Sequence, residues 1–305
     1  MAITIFSHPS CYYHDNGVEH PECGERLSAI NDQIIRSGME YVVMQFDATP
    51  ASRESLYLAH GKHYVDELFA KAPTEGHIWL DPDTVMSPKS LEAAMHAAGS
   101  GINAVDRVMA GNNEQAFCAV RPPGHHATRE QAMGFCLINN IAVAAEHALN
   151  HYGLSRIAIV DFDVHHGNGT EDIFQHEPRV LFCSSFEHPL YPYTGADTEN
   201  EHIINLPFAG GCRSQQWRDQ VSEHWIPAID AFAPQLILVS AGFDGHAEDE
   251  MAHFMLREDD YQWIGTELKQ LADKHCEGRI VAMLEGGYAL SALGRSVVAF
   301  LKGMM

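Results

Sequence analysis

Residues 157–170 read Ile-Ala-Ile-Val-Asp-Phe-Asp-Val-His-His-Gly-Asn-Gly-Thr, an unbroken apolar run followed at once by two aspartates and two histidines. Such a run suits a strand buried on both faces, which a chain obtains by covering a parallel sheet with helices on each side. Residues 157–163 are therefore expected as a central strand. If the extended geometry continues, Asp161, Asp163 and His165 share one side, because alternate strand residues point the same way. Three ionisable groups at the end of an apolar strand are costly unless a metal ion, a proton or hydrogen bonds compensate them. A polar turn whose carboxylates cap the next helix is the alternative reading.

The rest of the chain repeats the strand-then-helix alternation. Strands are expected at residues 4–7, 41–44, 117–120, 179–183, 203–206, 235–241 and 279–284. Helical spacing marks residues 27–35, 60–69, 91–109, 140–149, 216–232, 259–274 and 290–300, with a helix starting near residue 171. No repeat, low-complexity tract or linker divides the 305 residues. The expectation is one α/β domain over residues 1–305, with a central, mostly parallel sheet flanked by helices. Ligands of such sheets lie beyond the carboxyl ends of the strands. The polar sets after Val120, Val160, Ser240 and Leu284 would therefore meet at one edge.

Composition narrows the function. A net charge of −22, from 41 acidic against 19 basic residues, disfavours a binder of nucleic acid backbones and favours cationic partners. A well-solvated acidic surface is the plainer account of the same number. No run reaches membrane-spanning length, and Met1 leads directly towards a first strand without the pattern of a signal peptide, so a cytoplasmic protein is expected. Seven scattered cysteines without a CxxC pair read as reduced thiols. The oligomeric state is left open, a homodimer included.

Asp163, His165 and Asp244, the last after the strand-ending Gly242-Phe243, make a ligand set for Zn²⁺ that leaves room for water and substrate. The spacing does not exclude a redox metal such as Fe²⁺. His125 and His126 follow the stiff Pro122-Pro123-Gly124 turn, and neighbouring imidazoles can divide proton transfer and charge support between them. Asp161 and Asn168 are candidate acceptors for their second nitrogens. A pair making only structural hydrogen bonds is the alternative. Tyr288, after Gly286-Gly287, could donate to a developing oxyanion. Phe135 and Tyr191 could wall a narrow channel or simply pack in the core.

Seven stretches taken together resemble one family: Arg121-Pro-Pro-Gly-His-His-Ala127, Gly134-Phe135, Asn139-Asn140, Asp161-Phe-Asp-Val-His-His-Gly-Asn-Gly-Thr170, Tyr191-Pro192, Ala241-Gly-Phe-Asp244 and Glu285-Gly-Gly-Tyr288. The chain looks like the histone deacetylase family in its broad sense, which has an arginase-like α/β fold and includes bacterial acetylpolyamine amidohydrolases. The resemblance implies Zn²⁺ on Asp163, His165 and Asp244, with His126 as general base and then acid. It makes His125, paired to Asp161, the electrostatic partner, and has Tyr288 polarise an acetyl carbonyl. Phe135, Tyr191, Gly134 and Met251 would line the channel. A structural K⁺ would sit beside Asp161, Asp163, His165 and Ser184.

Departures from the family pattern refine the expectation. Asn168 replaces an aspartate and looks class II-like, leaving His126 without a charged partner and with a lower pKa. No aspartate occupies residues 69–73, where the family's rim aspartate would fall. Met251 stands where polyamine enzymes of the family carry a glutamate, although Glu248, Asp249 and Glu250 precede it and could attract a cationic tail. Removal of acetyl groups from acetyl-lysine or an acetylpolyamine is the implied activity. A non-hydrolytic protein that senses acylated amines is the alternative, and an arginase-type two-metal hydrolase fits less well because Asn168 and a single aspartate at 244 suit one metal.

Overall fold

The computed structural model describes residues 3–111 and 115–305. Met1 and Ala2, which the sequence reading runs into the first strand, lie outside them. The strands of the described residues are β1 (Ile3–Ser7), β2 (Val43–Asp47), β3 (Ile78–Trp79), β4 (Val85–Met86), β5 (Gln115–Cys118), β6 (Ile157–Asp161), β7 (Val180–Glu187), β8 (Ile203–Phe208), β9 (Leu236–Ala241) and β10 (Ile280–Leu284). Eight of them form one sheet in the order β2-β1-β5-β10-β9-β6-β7-β8, with every pairing parallel. The other two, β3 and β4, make a short antiparallel pair.

The apolar strands serve two cores at once. Ala158, Val160, Ile237, Val239, Ala282 and Leu284 join one core, to which helices Glu25–Arg36, Glu258–His275 and Leu290–Met304 contribute. Their neighbours Ile157, Ile159, Leu236, Leu238, Val281 and Met283 join the other, under helices Ser90–Met109 and Asn140–His151. This period-2 division is why the strand sequences are apolar at every position rather than at every second one. Small residues Ala94, Ala97, Ala98 and Gly101 are buried along the face of Ser90–Met109, where bulky side chains would hold the helix off the sheet.

Some local expectations shift. The strand expected at residues 41–44 begins at Val43, after a 3₁₀ turn at Met39–Tyr41. The loop after β1 contains the short helix Pro9–Tyr12, and Arg53–Ala59 is a helix that the sequence reading passes over. The helix expected at residues 216–232 runs from Ser214 to Phe232 through a π segment at Val221–Trp225. No helix among the described residues is long and apolar enough to cross a membrane, and all seven cysteines are free thiols.

Candidate active site

Four neighbouring strands, β5, β10, β9 and β6, deliver the polar segments to one edge of the sheet. Residues 121–126 follow β5, 285–288 follow β10, 242–244 follow β9 and 162–168 follow β6. The chain visits these strands in a different order from their order in the sheet. Such a reversal opens a crevice at the carboxyl edge of parallel sheets.

Strand β6 ends at Asp161, two residues earlier than expected. The cause is local. Asp161 Oδ1 accepts the Asp163 N–H at 3.1 Å, and Asp163 Oδ1 accepts the His165 N–H at 2.9 Å. Two successive side-chain-to-backbone bonds of this kind replace ladder bonds and curl the chain. Alternation of sides survives the curl: Phe162 and Val164 enter the core while the polar side chains line the site.

Asp163, His165 and Asp244 are all buried, and one ligand atom from each lies within 4.8 Å of the others. His165 Nδ1 is 3.1 Å from Asp163 Oδ1 and 3.2 Å from Asp244 Oδ2. The remaining oxygens are tied down, Asp163 Oδ2 by the Gly286 N–H at 2.8 Å and Asp244 Oδ1 by the Val164 N–H at 3.0 Å. Glycine is required beside them. A Cβ on Gly242 would meet Asp163 Oδ2 at 2.1 Å, and one on Gly286 would meet Asp244 Oδ2 at 2.1 Å. Asp244 Oδ2 is buried without a hydrogen-bond partner. Burial and the neighbouring Asp163 push the Asp244 carboxyl up to about 6, against the pull of His165. An orphaned carboxylate oxygen facing a second carboxylate and an imidazole is a donor set that fits a divalent ion of the zinc type.

The two histidines have unlike partners. His125 Nδ1 lies 2.9 Å from Asp161 Oδ2, and its Nε2 lies 3.8 Å from Asp163 Oδ1. Burial opposes its charge, but Asp161 and Asp163 outweigh that and raise it to about 10. An ion on Asp163 would weaken the second pull and leave Asp161 as the main partner. His126 Nδ1 lies 2.7 Å from Asn168 Oδ1. Burial, then His125, then His165 lower His126 well below its ordinary value, and the neutral Asn168 offers no carboxylate to restore it.

A cavity of about 190 Å³ above this floor is lined by Phe135, Tyr191, Gly134, Met251, Asp83 and Tyr288 together with both histidines. Phe135 holds a left-handed backbone, φ 66°, rare for a bulky residue. Its N–H donates to Thr84 Oγ1 and the Gly134 N–H to Asp83 Oδ1, each at 3.1 Å, so residues 83 and 84 fix this wall. The Phe135 ring meets Tyr288 edge-on at 6.2 Å, and Tyr191 meets His126 edge-on at 5.1 Å. Burial raises the Tyr288 hydroxyl well above its usual value, which keeps its proton available. Ser184 stands opposite Asp161 in the register of β6 and β7, with its Oγ 3.1 Å from His166 Nδ1.

Several residues acquire a place that the sequence reading did not give them. Asp83 is the acidic residue on the channel wall, whereas residues 69–73, where the family's rim aspartate would fall, contain no aspartate. Of the acidic trio expected to draw a cation, Asp249 turns inward, where Oδ2 accepts the N–H of Tyr288 at 2.6 Å and of Ala289 at 2.9 Å. Glu248 pairs with Arg295 at 2.7 Å. Buried Glu22 bridges two buried arginines: Arg121, whose Nη2 lies 2.6 Å away, and Arg26, whose Nη1 lies 3.0 Å away. Arg26 in turn donates to the carbonyls of Glu285 and Gly287. Glu22 and Arg26 are four residues apart, but Arg121 joins them only through the fold, so no local spacing reveals the cluster as a whole.

Comparison with known proteins follows the same lines. Residues 20–304 match the model of the histone deacetylase domain. The histone deacetylase-like amidohydrolase of Pseudomonas aeruginosa is 36% identical over 296 residues, covering 94% of this chain and 77% of that protein. The chloroplastic histone deacetylase 10 of Oryza sativa subsp. japonica is 36% identical over 305 residues, covering 92% and 69%. The crystal structure of the HDA15 HD domain superposes with a TM-score of 0.92 at 30% identity, covering 100% of this chain and 90% of that one.

Proposed function

The chain belongs to the histone deacetylase family, and on that premise we propose that it is a zinc-dependent amidohydrolase, one catalytic domain over residues 1–305, that removes acetyl groups from acetylated primary amines. One observation carries the reading. Two adjacent imidazoles line the cavity beside His165, which clusters with Asp163 and Asp244, yet one imidazole is paired to a carboxylate and the other to an amide. Unlike environments for adjacent titratable groups are how a protein assigns different proton-transfer roles.

Zinc held by the three ligands supplies Lewis-acid polarisation and a lowered pKa for water. The protein's own groups do the rest. His126 donates Nδ1–H to Asn168, which leaves Nε2 unprotonated at neutral pH. Nε2 takes a proton from the attacking water and returns it to the amine nitrogen as the C–N bond breaks. His125, held charged by Asp161, keeps a positive charge beside that transfer. Tyr288 donates its hydroxyl to the acetyl oxygen as negative charge develops there. Phe135 and Tyr191 enclose an unbranched alkyl stem and exclude bulk water.

A structural K⁺ beside Asp161 and Ser184 belongs to the same reading and rests on the family resemblance. The acetylated amine is either acetyl-lysine or an acetylpolyamine, and Asp83 offers a single acidic contact for its far end. Amine release from an acetyl-lysine peptide, acetylputrescine, acetylcadaverine and acetylspermidine tests the proposal. Hydrolysis of at least one by the zinc-loaded protein is expected. Tight binding of these amides without cleavage would refute it and favour the sensor reading.

A further inference from the structure

We propose that Glu285 is a positioning residue for the histidine pair: by accepting the main-chain N–H groups of Gly124 and His125, its carboxylate holds the turn that aims His126 into the cavity. The inference rests on the amidohydrolase reading of the site.

Glu285 follows β10, which pairs directly with β5, and the chain leaving β5 forms the turn. The residue is fully buried. Oε2 lies 2.6 Å from the Gly124 nitrogen and 3.1 Å from the His125 nitrogen. Oε1 has no hydrogen-bond partner. A buried carboxylate is costly, and these two N–H groups are the hydrogen-bond partners of this one. Pro122 and Pro123 have no N–H to offer, so Gly124 is the first residue of the turn that can be held through its nitrogen. Glu285 is itself anchored: its N–H donates to Ala241 O at 3.0 Å, and its carbonyl accepts from Arg26. On the opposite side, the His125 carbonyl accepts the N–H groups of Gly169 and Thr170 at 3.0 and 3.2 Å. The turn is thus gripped from β10 and from the helix that carries Asn168. Release of one grip moves an imidazole whose proton transfer tolerates little displacement; a shift of about 1 Å can cost roughly 100-fold.

The test compares Glu285→Met, similar in length but without an acceptor, with Glu285→Gln, which keeps an accepting oxygen. Both are made in the full chain loaded with zinc. Glu285→Met is expected to lower kcat roughly 100-fold with KM and bound zinc little changed, and Glu285→Gln to recover most of that loss. A folded, zinc-loaded Met variant with wild-type kcat overturns the proposal, as does a Gln variant as impaired as Met. If the Met variant does not fold, Glu285→Asp, one methylene short of the turn, takes its place with the same expectation. Nitrogen NMR of the histidine rings separates this proposal from the reading it rests on. Should the wild type hydrolyse no acetylated amine, that reading fails. The positioning role still predicts that the His126 Nδ1–H resonance moves in the Met variant and returns towards its original place in Gln, and an unmoved resonance overturns it.

Discussion

At the floor of the cavity each functional group is held by a second one: Asp163 by the Gly286 N–H, Asp244 by the Val164 N–H, His125 by Asp161 and His126 by Asn168. The entrance is built more loosely. The Tyr191 hydroxyl is buried with no hydrogen-bond partner, and Met251 contributes only a flexible thioether. Chemistry that depends on tenths of an ångström is assigned to strand ends and cross-bracing. Selection among amines is left to a few side chains that can change without disturbing the sheet.

Substitutions can break that contrast, beginning at the floor. His126→Ala should lower kcat by about 10²–10⁴-fold while zinc stays bound, because its ring is not assigned as a ligand. Loss of zinc measured by metal analysis would contradict the assignment. Next comes the support beneath the floor. Burial alone would raise the Glu22 carboxyl, but Arg121 and Arg26 outweigh it and hold it at about 2. A lowered carboxyl stabilises the fold above its unfolded value of 4.5, and the contribution is lost as pH falls from there towards 2. That loss amounts to on the order of 3 kcal/mol. Burial lowers His14 to about 4, so its uptake of protons on unfolding acts in the same direction from pH 6.5 downward. Glu22→Gln should therefore be less stable at neutral pH and show a flatter acid limb in denaturant titrations. An unchanged limb would remove Glu22 from the account.

Smaller effects sharpen the contrast. Asn168→Asp places a carboxylate against His126 Nδ1 and should raise that imidazole by about 1–3 pH units. Because the neutral ring is the active form, activity should set in at higher pH, read from the kcat/KM profile. A shift to lower pH would exclude His126 as the base. At the entrance, Met251→Glu should change kcat little and favour substrates with a distal ammonium by a few-fold in KM, about 1 kcal/mol for an exposed charge pair. An equal change for charged and neutral substrates would detach Met251 from specificity.

The same contrast explains what the sequence could disclose. Strand ends followed by Asp, His and Gly are local patterns, so the sheet, the clustering of Asp163, His165 and Asp244 and the adjacency of the histidine pair are readable from short motifs. The point where β6 ends was not, because the Asx bonds of Asp161 and Asp163 compete with the ladder in a way that apolar periodicity cannot register. Glu285 reads in sequence as part of a strand-end motif and Asp249 as part of an acidic loop, and only the folded chain brings each carboxylate onto the backbone N–H groups of a distant loop. Asp83 was missed because its wall position depends on the fold around β3 and β4, whose two-residue strands carry almost no periodic signal.

The most direct test of the central claim is a zinc titration of chelator-treated protein, with release of free amine from an acetylated substrate followed at each addition. No turnover is expected without metal, followed by a linear rise that saturates at one zinc per chain. Full turnover in the chelated protein, or saturation only at two ions per chain, would contradict it.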